Sequence, residues 1–174
     1  MRKIFAVAFS VRRSRLSAFA CVVAILGAAV GVTGAAASPP TPASGTFTTT
    51  SSTVNSIRFD GGNVVIDLSG TVSYTGTFSG TSTINGTLII HADGSANFHD
   101  GETFTGTVNG VSGTVTLNLN GRNDSTRAVQ ATDTIVGATG DLAGLHGVLS
   151  EVGTVTGPPG PLGTYTGQIE FGSP

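Results

Sequence analysis

The chain has 174 residues, with eight Lys or Arg, ten Asp or Glu and a single cysteine. Five of the basic residues lie in the first fifteen positions, so the part beyond residue 37 keeps three arginines against ten carboxylates, a formal charge of −7. A surface of that kind cannot neutralise a phosphate track, which excludes nucleic acid and anionic membrane as partners of this part of the chain.

Residues 1–37 have the three parts of a secretory signal peptide. Arg2, Lys3, Arg12, Arg13 and Arg15 form a positive start, an apolar run extends from Leu16 to Val32, and Ala35-Ala36-Ala37 offers a cleavage site. The run is broken by Ser17, Gly27 and Gly31, and it falls short of the ~20 strongly apolar residues of a membrane span. The expectation is a secreted, extracellular protein that begins at Ser38 and has no membrane attachment after cleavage. Cys21 leaves with the leader, so the remaining 137 residues fold without a disulfide or a cysteine metal site. That length is enough for one domain with its own core.

Residues 38–45, Ser-Pro-Pro-Thr-Pro-Ala-Ser-Gly, read as an extended and mobile proline-rich tether. Residues 46–174 then form the expected β-barrel domain. Val72, Tyr74, Gly76 and Phe78 alternate with threonine and serine, as do Phe104, Gly106 and Val108. Val111, Gly113, Val115, Leu117 and Leu119 alternate with Ser, Thr and Asn, and Tyr165, Gly167, Ile169 and Phe171 close the series. One apolar face and one threonine face is the pattern of half-buried antiparallel strands. Threonine suits the outer face because its β-branch fits the pleat while its hydroxyl meets water.

Turn signals fall between these runs at Gly61-Gly62-Asn63, Asp93-Gly94, Asp100-Gly101, Asn109-Gly110 and Asn120-Gly121. They divide the domain into eight to ten strands, and the inward glycines favour a closed barrel over a sandwich. The predicted fold is therefore all-β: an antiparallel, about eight-stranded closed barrel.

Gly137, Gly140, Gly144 and Gly147 punctuate Ile135–Gly147, with Leu142 and Leu145 between them. A nucleotide loop would need a helix directly after these glycines, and strand-like residues 148–155 follow instead. The segment reads as a structural corner. With its flanking strands it resembles the glycine corner of allene-oxide-cyclase-like and dirigent-like barrels, and most closely an uncharacterised bacterial family grouped with them. Asp93-Gly-Ser-Ala-Asn-Phe98, Thr105–Val115 and Thr164-Tyr165 follow the same order. The resemblance implies an eight-stranded barrel with a central cavity and admits a homo-oligomer. It carries over no catalytic residue.

His91, Asp93, His99, Asp100 and Glu102 fall within twelve residues. Zinc needs three or four ligands on one centre, and a hairpin at Asp93-Gly94 does not bring the two histidines together. Asp93 and Asp100 read as the first residues of Asp-Gly turns. No metal and no cofactor is expected. His146 reads as a rim residue, and no Gly-x-Ser-x-Gly elbow accompanies it.

The inward positions are therefore the candidates for function. Tyr74, Phe78, Phe104, Tyr165 and Glu151 are the candidate ligand-binding residues; a buried phenol orients a ligand oxygen, and aromatic rings supply apolar contact. Glu151 and Asp67 lie in strands otherwise rich in apolar residues, and whichever faces inward has a raised pKa and becomes the best acid–base candidate. Three functions fit: a carrier of a small apolar ligand, a cyclase or isomerase of the allene oxide cyclase type, or a structural or interaction module of the cell surface. An open cavity containing Tyr74 or Tyr165 favours the first two, and a filled barrel the third.

Overall fold

The structure is a computed structural model that describes residues 39–172; the expected leader lies outside the described residues. Eight strands follow in chain order: β1 (Thr41–Asp60), β2 (Asn63–Gly76), β3 (Phe78–Ile90), β4 (Ala96–Val108), β5 (Val111–Asn123), β6 (Ala128–Gly140), β7 (Leu145–Val155) and β8 (Pro161–Phe171). Each pairs antiparallel with the next, and β1 closes the ring on β8 to form a barrel. The period-two pattern explains it. Tyr74, Phe78, Phe104, Val115, Leu117, Tyr165 and Ile169 are buried inside, and their threonine neighbours face out.

Three expectations need correction. Residues 41–45, expected in the tether, are strand, because β1 begins at Thr41: Ala43 is buried in the core and Thr41–Thr48 supply the ladder to β8. Asp100-Gly101 is not a turn but the middle of β4, where Asp100 faces Gly86 on β3 and Leu119 on β5. Asn120-Gly121 continues β5 in register with β4 and β6. At both sites a ladder on each side satisfies the backbone, and this outweighs the local turn preference. Asn109-Gly110, by contrast, turns with φ of 50° and 82°, as a tight hairpin between twisted strands requires.

The barrel has a closed end and an open end. At the closed end Phe78 meets Phe104 and Tyr165 edge-on, with ring centroids 5.3 and 5.9 Å apart, and Tyr74 meets Tyr165 edge-on at 5.8 Å. The Tyr165 hydroxyl accepts the Phe78 N–H at 2.8 Å and donates to the Thr75 carbonyl at 3.0 Å, so the buried phenol is satisfied. The glycine corner completes this end. Gly140 and Gly144 turn with φ of 71° and 84°, and the loop between them folds the fully buried Leu142 over Gly113. Before that corner, a β-bulge between β5 and β6 turns Val136 outward while Ile135 and Ala138 stay inside.

Candidate functional site

The other end holds a cavity of about 510 Å³. Its mouth is ringed by the β3–β4, β5–β6 and β7–β8 turns, with Gly94, Arg127 and the 157–161 segment among the lining residues. Below the mouth the walls are apolar: Ile66, Leu68 and Val72 from β2, Leu88 from β3, Leu119 from β5 and Val129 from β6. Deeper still, Tyr74, Asp100, Glu102 and Glu151 line it.

These polar residues come from strands that alternation aims at the axis. On β4, Ala96, Asp100, Glu102, Phe104 and Val108 share the inward face. On β6 it is Val129, Asp133 and Ile135, and on β7 Leu145, Leu149 and Glu151. Asp100 fits because Gly86 stands opposite it: a Cβ at 86 would occupy the place of Asp100 Oδ1. Four carboxyl groups therefore stand in the interior: Asp100, Glu102, Asp133 and Glu151, all buried.

The Tyr74 hydroxyl lies 3.1 Å from Glu151 Oε1 and 3.3 Å from Glu102 Oε2. It can donate to only one of them at a time, so a proton on the other carboxyl lets the phenol oxygen accept as well. Asp100 Oδ1 and both oxygens of Asp133 are buried without a hydrogen-bond partner, whereas the buried Ser82 hydroxyl bonds the Glu102 carboxyl and favours its ionised form against its burial.

Burial is the main force on these groups, because an apolar surrounding penalises the charged form. It pushes Glu151 up to about 8, with the nearby Glu102 charge adding and the Tyr74 hydrogen bond opposing. Asp133 is pushed up to about 9 by burial and then by the charges of Glu102, Glu151 and Asp100. Asp100 rises to about 6 and Glu102 rises too, both chiefly through burial. Tyr74 is raised well above the ordinary phenol by burial and by Glu102 and Glu151. At pH 7 Glu151 and Asp133 therefore keep their protons, whereas Asp100 is largely ionised.

Of the five residues singled out in the sequence, Tyr74 and Glu151 meet at the cavity floor, 3.1 Å apart. Phe78, Phe104 and Tyr165 do not line it; they fill the closed end. Asp67 faces outward, where Ser56, Thr87 and Arg58 donate to it and hold its carboxyl below the usual range. Sequence reasoning passed over Asp100, Glu102 and Asp133 as inward groups, although each keeps step with buried apolar residues on its strand. The histidines do not converge. His91 bonds Asn63 and Asn97, His99 bonds Asn120, and His146 pairs with Glu170 at 3.0 Å on the exposed surface. Among the described residues, no three His, Cys, Asp or Glu side chains are placed to hold a metal ion.

Comparison with known proteins adds the family. The model of a family described as "Protein of unknown function (DUF3224)" matches residues 43–156. The crystal structure of a protein with unknown function from the same family, from Shewanella oneidensis MR-1, superposes with a TM-score of 0.63 at 19% identity. That likeness covers 78% of this chain and 100% of the other, and at this identity it concerns the fold alone. No curated protein matches the chain.

Proposed function

We propose that this chain, which belongs to the DUF3224 family of proteins of unknown function, is a secreted binding barrel that holds a small, mostly apolar molecule in its open cavity. One observation carries the reading: a cavity of about 510 Å³ with apolar walls and a hydrogen-bonding floor at Tyr74, Glu102 and Glu151. Its size falls in the range of small-molecule sites, about 300–1,000 Å³, and a few polar groups among apolar walls is their usual make-up. A structural module would have no use for such a hole, and filling it with side chains would stabilise the barrel.

Native mass spectrometry of the exported protein from its own host tests the reading, together with titration of a neutral, environment-sensitive naphthylamine dye. The expected result is a retained small molecule, or dye binding that Leu119→Trp abolishes while the circular dichroism stays that of the barrel. Neither a retained molecule nor dye binding to the wild type would overturn it.

The pairing of Glu151 with Tyr74 supports a second reading, a cyclase or isomerase such as the likeness to allene oxide cyclase barrels suggests. A carboxyl raised to about 8 beside a phenol, in a site closed to water on all but one side, is suited to proton transfer near neutral pH. Conversion of the retained compound to an isomer, lost in Glu151→Gln, separates catalysis from carriage.

A further inference from the structure

Resting on the binding-barrel reading, we propose that the hairpin of β1 and β2 is the outer half of the binding site. Its ligand is a neutral long-chain lipid of the fatty alcohol class, with the polar head at the cavity floor and the hydrocarbon tail laid along Val54, Ile57 and Phe59. The argument begins with a strand that outruns its barrel. Among the described residues β8 pairs with β1 only as far as Thr48, opposite Leu162, whereas β1 continues to Asp60 against β2 alone. The hairpin therefore stands beyond the closed ring as an arm at the mouth, and every β1 residue from Thr50 to Asp60 is exposed.

An arm with water on both sides would be polar on both faces. This one is not. Directly opposite residues of an antiparallel pair point to the same side. Val54 stands opposite Leu68, Ile57 opposite Ile66 and Phe59 opposite Val64, and β3 adds Leu88 beside Ile66 and Ile90 beside Val64. Val54, Ile66, Leu68, Leu88 and Ile90 line the cavity, so Ile57 and Phe59 lie on the continuation of its wall. Strict alternation would turn Ile57 away from the side that Val54 takes. The β-bulge between Val54 and Ser56 takes up one residue and returns Ile57 to the inner side. The outer side of the same arm is polar: Ser56 and Arg58 both donate to Asp67. Val54, Ile57 and Phe59 are 55%, 57% and 82% exposed. Single apolar residues on a surface need no account, but three successive inner positions that continue an apolar cavity wall mark a surface covered when the site is filled.

What covers it is set by that continuity. From Tyr74 at the floor to Val64 beside Phe59, β2 runs ten residues, about 33 Å of strand at about 3.3 Å each. A compact molecule held in the cavity would leave the arm bare, whereas a chain covers floor and arm together. The head is neutral because Tyr74, Asp100, Glu102 and Glu151 stand at the floor, and a carboxylate there would meet other carboxylates. A hydroxyl both donates and accepts, so it can join the Tyr74–Glu151 pair.

Phe59→Trp tests this with its own reporter, because the chain has no tryptophan. Octanol, dodecanol, hexadecanol and eicosanol are delivered to the exported protein from cyclodextrin. The indole emission is expected to move to the blue with eicosanol and to stay in place with octanol. Displacement of the naphthylamine dye from the wild type should tighten by about two- to fourfold per added methylene through the whole series. Ile57→Ser and Phe59→Ser, each checked by circular dichroism, should weaken eicosanol at least about fivefold, and eicosanoate should bind less tightly than eicosanol at neutral pH. A plateau beyond dodecanol, eicosanol affinity unchanged in both serine variants, or eicosanoate binding best would overturn the proposal. So would a dimer in sedimentation that Phe59→Ser dissociates, because a second copy would then cover the arm. With the dye still bound by the wild type, each of these outcomes leaves the binding barrel standing; failure of the dye and of every alcohol would refute the barrel reading itself.

Discussion

Glu151→Gln should make the barrel increasingly more stable than the wild type as the pH rises, an unusual result for removing a hydrogen-bonded residue from a cavity floor. In the folded state burial holds the Glu151 proton up to about 8, whereas in the unfolded chain it leaves near the ordinary 4.5. Between those values the native barrel keeps a proton that the unfolded chain has lost. Unfolding then releases a proton, and stability falls with rising pH by about 1.4 kcal/mol per unit for one such group. From about pH 5 to pH 7.5 the loss reaches at most about 3 kcal/mol, and glutamine, which cannot ionise, escapes it. The two stability curves should lie close together near pH 5 and separate towards pH 7.5, by a melting difference on the order of 10 °C for a domain of this size. His146, also raised by its Gly144 and Glu170 contacts, loses its stabilising proton in the upper part of the same window. It is present in both proteins, so it cancels in the difference. Asp67, Asp93 and Asp124 are lowered and titrate only in acid, below the window. Urea unfolding followed by far-ultraviolet circular dichroism at each pH gives the measurement. Parallel curves from about pH 5 to 7.5 would mean that Glu151 ionises freely in the native barrel, and the account of the floor would be wrong.

Tyr165→Phe removes the acceptor of the buried Phe78 N–H and should cost about 1–3 kcal/mol, with no pH dependence, read from the urea midpoint. Gly144→Val places a β-branched residue at φ 84°, where a Cβ would also lie 3.2 Å from the Gly172 carbonyl oxygen. A loss of at least about 1–2 kcal/mol is expected, seen as a lower melting temperature or loss of folded protein; normal folding would refute the corner assignment. Gly86→Val fills the space that Asp100 Oδ1 occupies, and should lower stability and expel the carboxyl from the floor. Its thermal melt, compared with that of Gly86→Val combined with Asp100→Ala, should show the second change restoring part of the loss.

The strand pattern was legible because one rule, inward apolar and outward threonine, holds from Phe47 to Phe171 with few exceptions. The floor was harder to read because its members break the apolar half of that rule while obeying its period. Asp100 precedes a glycine, and an isolated Asp-Gly signals a turn; only the continuation Ala96-x-Phe98-x-Asp100-x-Glu102-x-Phe104 reveals a strand passing through it. Asp133 stands in the same way between Val129 and Ile135. Asp67 illustrates the opposite case. Its strand is apolar on both faces from Val64 to Leu68, so alternation could not say which side the carboxyl takes. The division of the barrel was beyond the sequence altogether. Phe78, Phe104 and Tyr165 alternate as Tyr74 and Val72 do, and only the closure of β1 on β8 and the insertion of Leu142 place them at the filled end.

That division explains how the chain tolerates its own interior. Four buried carboxyls are a burden that an all-apolar core would not carry, and the folded domain has no disulfide to offset them. The closed end supplies the compensation. Its edge-on aromatic rings, its satisfied Tyr165 hydroxyl and the Leu142 plug form a continuous apolar core that anchors every strand at one end. The same strands can then run on to an open end that packs less well and presents acids to a cavity. In this arrangement the glycine corner serves the site indirectly. By turning tightly enough to seat Leu142 it gives the barrel a floor, and the floor makes the space above it a pocket instead of a channel.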